Sequence, residues 1–170
     1  MATPTDLCRK CILDLTPYVP GKPIEEVKRE LGIDDVIKLA SNENPLGPSP
    51  KALDAMKSAL DNIALYPEGS CFDLRQALAK HLGVDPDMLI FGAGADEVIH
   101  YLGVALLDND DEIIQADPSF VQYKAASTLM NCKAHMVPLK DWTHDLKAML
   151  AKVNEHTKML FITNPNNPTG

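Results

Sequence analysis

From residue 88 onward, short apolar runs alternate with amphipathic stretches, and that rhythm sets the expected architecture. Met88-Leu89-Ile90-Phe91 reads as a buried-type strand, followed by short strands over 112–116, 133–139 and 158–163. Between them, Val98, Tyr101, Leu102, Ala105 and Leu106 recur at helical spacing. Residues 119–130 and the stripe Leu146, Met149, Leu150, Val153 predict two more helices. Strand–helix alternation with short connections is the signature of an α/β fold built on a mostly parallel, doubly wound sheet.

The first third of the chain is less regular. Pro17, Pro20, Pro23, Pro45 and Pro48 punctuate residues 1–47, which read as an extended arm. A helix over 24–31, ended by Gly32, and a short strand over 36–40 interrupt it. From residue 48 the pattern tightens. Ser49 suits a helix cap and Pro50 the first helical position, with Leu53, Met56 and Leu60 on one face. A second helix starts near Ser70, with Asp73 completing a capping-box variant, and carries Leu74, Ala77, Leu78, His81 and Leu82 as its stripe.

Charge and composition narrow the function. Sixteen basic against twenty-four acidic residues give a net charge of -8, which disfavours nonspecific binding to nucleic acid or an anionic membrane. An anionic small molecule remains compatible, since a few backbone N–H groups bind phosphate whatever the net charge. No apolar run approaches the roughly twenty residues of a membrane span, and residues 1–10 lack the apolar core of a signal peptide, so a cytoplasmic protein is expected. Cys8, Cys11, Cys71 and Cys132 fit that compartment as free thiols. Cys8 and Cys11 have zinc or redox spacing, but no second ligand pair accompanies them.

Three strand ends carry candidate chemistry. The strand at 88–91 runs into Gly92-Ala93-Gly94-Ala95-Asp96-Glu97 and then a helix, so the N–H groups of Ala95 and Asp96 can face an anion such as phosphate. Equally, Asp96 can merely cap the helix. A dinucleotide is the competing guest, but Glu97 stands where the third glycine of that fingerprint belongs. Phe120 follows the next strand and offers a ring for stacking, with Tyr123 as the alternative aromatic. Asn167 follows the last strand, in Asn164-Pro165-Asn166-Asn167-Pro168-Thr169-Gly170; its amide can meet a ring substituent, or the segment can be only a turn. Phosphate cradle, aromatic plate and amide together describe a site for a flat, phosphorylated cofactor at the strands' carboxyl ends.

These residues resemble a known family. Ser41-Asn42-Glu43-Asn44-Pro45-Leu46-Gly47, Tyr66-Pro67, Gly94-Ala95-Asp96-Glu97, Asp117-Pro118-Ser119-Phe120 and the 164–170 segment look like the N-terminal half of the histidinol-phosphate aminotransferases, within the fold-type-I pyridoxal-phosphate-dependent enzymes. The resemblance implies an α/β fold of that type, truncated, with residues 1–47 as arm and small-domain segment and 48–170 as the first part of the large cofactor-binding domain. It implies that Ala95 and Asp96 hold the phosphate of pyridoxal 5'-phosphate, that Phe120 stacks on its ring and that Asn167 bonds its ring oxygen. Tyr66 would reach the cofactor of the other subunit in a homodimer, and Tyr18 and Asn44 would contact substrate.

The implied activity is amino transfer between histidinol phosphate and 2-oxoglutarate, in histidine biosynthesis. An aromatic aminotransferase or a threonine-phosphate decarboxylase shares most of these motifs, and a noncatalytic or dinucleotide-binding α/β module is the reading of another class. By the resemblance, the Schiff-base lysine lies after Gly170, so no catalytic residue is assigned here. The 170-residue chain alone is expected to be inactive and to be part of a larger protein.

Overall fold

A computed structural model describes residues 3–170. In chain order its helices are α1 (Lys10–Leu13), α2 (Ile24–Leu31), α3 (Pro50–Ala59), α4 (Phe72–Leu82), α5 (Gly94–Leu106), α6 (Gln122–Leu129) and α7 (Leu146–Leu150). The strands are β1 (Glu112–Asp117), β2 (Lys133–Pro138) and β3 (Thr157–Leu160). Two compact units emerge: one joins the segment up to Pro17 to Ile90–Gly170, and the other is Tyr18–Leu89.

The first unit is organised by β1. Ile113, Ile114, Gln115 and Ala116 are all essentially inaccessible to solvent, as expected of a strand covered on both faces. β1 lies at the centre of a parallel sheet of order β2-β1-β3, with Glu112 opposite Lys133 and Asp117 opposite Pro138. Ile114 packs with Val137 of β2 and Met149 of α7, while alternation turns Ile113 to the other face. α6 packs on α5, on β1 and β2, and on α1. Gly103 of α5 faces α6 across that contact, where a Cβ would meet Ala126 Cβ at 3.4 Å, an ordinary van der Waals distance that leaves no room for a larger side chain.

At the strands' amino ends one carboxylate ties three segments together. Glu112 accepts from Lys133 Nζ at 2.9 Å and His135 Nε2 at 2.7 Å on β2, and from Asn154 Nδ2 at 2.6 Å in the turn before β3. These donors hold its carboxyl at about 2, well below the ordinary 4.5, with Asn154 the largest influence.

In the second unit, Gly32 ends α2 in the left-handed conformation at φ 64°, as the sequence predicts. Elsewhere the expectations need correction. Residues 36–40 form no strand: they join no ladder, and Ile37 and Leu39 are exposed. Nor do residues 88–91. Pro86–Met88 is a 3-10 turn, and Arg75 of α4 donates to the carbonyls of Pro86 and Leu89, occupying a group that a ladder would need. Ser49 and Pro50 stand at the start of α3 as expected, though the Ser49 side chain makes no capping bond. α4 begins at Phe72 behind Cys71, and no side chain caps it, because Ser70 donates to Glu68 instead of forming a box with Asp73. In the first unit, α6 starts at Gln122, later than residue 119, because Ser119 is drawn into a tertiary bond described below.

Candidate functional site

Parallel strands put their carboxyl ends on one edge, where hydrogen bonds join the connection after β1 to the 164–170 loop; the 92–97 turn follows no strand among the described residues and is tied in through Asp96 and Gln122. The 92–97 turn feeds α5. Gly94 adopts φ +78°, a left-handed conformation that suits glycine. Gly92 is needed for a different reason: a Cβ there would come within 3.1 Å of Glu97 Oε2. Glu97 folds back so that its carboxylate accepts the Ala93 N–H at 2.5 Å. That bond, and then one from Tyr101, keeps the Glu97 carboxyl below its ordinary range, while the same contact raises Tyr101. The position of the missing third glycine is thus filled by a side chain that closes the turn.

Asp96 does not cap α5. Its carboxylate accepts from Gln122 Nε2 at 3.2 Å, which links the start of α5 to the start of α6. Ala95 and Asp96 are exposed and lie in the first turn of α5, where backbone N–H groups have no acceptor a turn earlier. Two N–H donors at a solvent-facing helix start suit an anion.

After β1, Phe120 is half-buried and meets Tyr123 edge-on, with ring centroids 5.7 Å apart and planes at 82°. Tyr123 is itself stacked on Phe161 at 4.3 Å and 17°, and its hydroxyl accepts from Thr163 Oγ1 at 2.9 Å. One face of the Tyr123 ring is therefore covered by Phe161, whereas Phe120 meets Tyr123 only edge-on.

The 164–170 loop divides its two adjacent asparagines. Asn167 is exposed, and its side chain makes no hydrogen bond among the described residues. Asn166 is only 6% exposed. Its Oδ1 accepts from Ser119 Oγ at 2.8 Å, and its Nδ2 donates to Pro118 O at 3.2 Å and Thr169 Oγ1 at 2.9 Å. Thr169 in turn donates to Trp142 O at 3.0 Å.

Ala95, Asp96, Phe120 and Asn167 thus lie in one unit, and hydrogen bonds between near neighbours join the loops that carry them. Tyr18, Asn44 and Tyr66 belong to the other unit. Tyr18 and Tyr66 are exposed there, Tyr66 completely, and Asn44 Oδ1 accepts from the Leu46 N–H at 3.0 Å. Sequence reasoning gave no role to Ser119, Asn166 and Thr163 and read Glu97 only as a departure from the glycine fingerprint; for Asn166 the Asn-Asn doublet was the visible signal. Cys8 is exposed and Cys11 buried, and among the described residues no three His, Cys, Asp or Glu side chains converge as metal ligands.

Comparison with known proteins adds to this geometry. A family model described as aminotransferase class I and II matches residues 34–170. A curated histidinol-phosphate aminotransferase of Moorella thermoacetica is 53% identical over 163 residues, covering 96% of this chain and 42% of the relative. One from Caldicellulosiruptor saccharolyticus is 49% identical over 162 residues, covering 95% and 45%. The chain therefore spans less than half the length of these curated relatives. The crystal structure of histidinol-phosphate aminotransferase from Sinorhizobium meliloti in complex with pyridoxal-5'-phosphate superposes with a TM-score of 0.83, covering 95% of this chain and 43% of that one. At 24% identity that likeness is one of fold.

Proposed function

The chain belongs to the class I and II aminotransferase family, and we propose that it forms part of a pyridoxal-phosphate-dependent enzyme that moves an amino group between histidinol phosphate and 2-oxoglutarate in histidine biosynthesis. The names of the relatives at about half identity support histidinol phosphate as the amino donor. The observation that carries the cofactor reading is the joining of a helix-start N–H pair, a half-buried aromatic and an unengaged asparagine amide at the carboxyl edge of one parallel sheet.

The residues fit such a group. The exposed N–H groups of Ala95 and Asp96 would receive the phosphate, and Phe120, braced edge-on by Tyr123, would cover the ring. Asn167, whose amide has no hydrogen-bond partner among the described residues, would bond the ring oxygen. When bound, pyridoxal phosphate supplies the electron sink for amino transfer. The chain's own residues fix its position and exclude water from one ring face.

Residues 1–47 are assigned to an arm and small-domain segment and 48–170 to the first part of the cofactor-binding domain. Tyr66, wholly exposed, is assigned to the partner subunit's cofactor in a homodimer, and Tyr18 and Asn44 to substrate. A cytoplasmic location suits a chain in which no helix among the described residues is long and apolar enough to cross a membrane.

Absorbance titration of the full-length protein with pyridoxal phosphate, followed by amino-transfer assays with histidinol phosphate and with aromatic amino acids, tests the reading. Saturable uptake with histidinol phosphate as the preferred donor is expected. Preference for an aromatic amino acid would replace the substrate, and no cofactor uptake would overturn the function.

A further inference from the structure

Adjacent asparagines in the 164–170 loop have opposite surroundings. Asn167 is exposed and unengaged, whereas Asn166 is buried and every polar atom of its side chain is used. The orientation of the Asn166 amide is forced. Pro118 O can only accept, so Nδ2 must face it at 3.2 Å. Thr169 spends its hydroxyl proton on Trp142 O and therefore accepts from the same Nδ2. Oδ1 is left for the Ser119 hydroxyl at 2.8 Å. Through these bonds one side chain grips Pro118 and Ser119, immediately before Phe120, and Thr169, two residues after Asn167.

We propose that Asn166 is a positioning residue that sets the Phe120 ring and the Asn167 amide at a fixed separation, so that both meet the same planar, ring-oxygen-bearing cofactor. The inference rests on the pyridoxal-phosphate reading of the site. Asn166 touches no cofactor itself; it acts through Asn167 and Phe120. Aspartate at 166 keeps the shape and the acceptor for Ser119 but removes both N–H donors. The Pro118 and Thr169 acceptors would then face a carboxylate, and the two loops would separate.

The test uses full-length protein loaded with pyridoxal phosphate and compares Asn167→Ala, Asn166→Asp and the pair. Two quantities are read: cofactor affinity, and the pH midpoint of the bound cofactor's visible absorption, which responds to a hydrogen bond at the ring oxygen. Loss of one such bond in Asn167→Ala is expected to weaken affinity about tenfold and to move the midpoint. Asn166→Asp should move both in the same direction. In the pair, affinity should fall no more than about twofold beyond Asn167→Ala alone, because both changes remove the same contact.

Fully multiplying losses, or an Asn166→Asp protein that is less stable but keeps the parental midpoint, would overturn the proposal in favour of a purely structural asparagine. Should Asn166→Asp fail to fold, Ser119→Ala removes one bond of the same set and is judged by the same two quantities. The underlying reading fails separately: if Asn167→Ala leaves affinity and midpoint unchanged, or the parent takes up no cofactor, the inference falls with it.

Discussion

Alanine in place of Gly92 measures how tightly the turn before α5 is held. Its Cβ would lie 3.1 Å from Glu97 Oε2, 3.2 Å from Val98 Cγ2 and 3.3 Å from Glu97 Cβ. Glu97 cannot swing away without releasing the Ala93 N–H, and Val98 is fixed within α5. Crowding of this kind costs about 1–3 kcal/mol, while the stiffer unfolded chain returns about 0.4–1 kcal/mol. The expected net loss is about 1–2 kcal/mol, seen in urea titration as a lower midpoint at unchanged slope. Adding Val98→Ala removes one of the three contacts. The double variant should therefore be at least about 0.5 kcal/mol more stable than the sum of the single changes allows. An alanine variant as stable as the parent, or a pair whose effects simply add, would refute this account of the turn.

Other expectations follow from the core and from the amino-end clamp. Ile114→Ala empties one of the two fully buried isoleucine positions of β1 and should cost about 2–5 kcal/mol by urea titration; a loss under about 1 kcal/mol would mean that Met149 and Val137 collapse into the space. Gly103→Ala meets only ordinary contact with Ala126 and gains helix propensity, so it should be neutral or stabilising by up to about 1 kcal/mol, whereas Gly103→Leu should push α5 off α6 and lower the melting temperature. Glu112 titrates at about 2 in the folded protein against an ordinary 4.5, so its contribution is complete above about pH 4.5 and disappears as the pH falls towards 2. Glu112→Gln should flatten the stability profile between those values, and urea midpoints that fall in parallel with the parent's would count against the clamp.

What the sequence disclosed follows from what each feature depends on. β1 and β2 could be read because a run such as Ile113-Ile114-Gln115-Ala116 suits a buried strand wherever it sits, and α2 because its stop at Gly32 is a local conformational requirement. The 88–91 run was equally apolar and was misread, since a strand also needs a neighbour. Its Leu89 carbonyl is instead taken by Arg75, a contact between distant positions that no local pattern announces. At the site, helix-start amides and a post-strand aromatic have positional signatures. Asn166 and Asn167, by contrast, are the same residue type in the same turn; only the Ser119 hydroxyl and Pro118 carbonyl, nearly fifty residues earlier, separate a buried fastener from an exposed amide. Tyr123 and Phe120 were likewise indistinguishable until the stacking on Phe161 claimed one of them.

The order β2-β1-β3 also bears on how the molecule is made. The strand that leaves the ribosome first is the one that ends in the middle, and each later strand among those described joins an outer edge. Among these three strands assembly can therefore follow synthesis outward from the centre, with no ladder between them reopened to admit the next. The three loops of the candidate site are then completed in the same sequence, with the 164–170 loop arriving last, onto partners at Pro118 and Ser119 that are already in place.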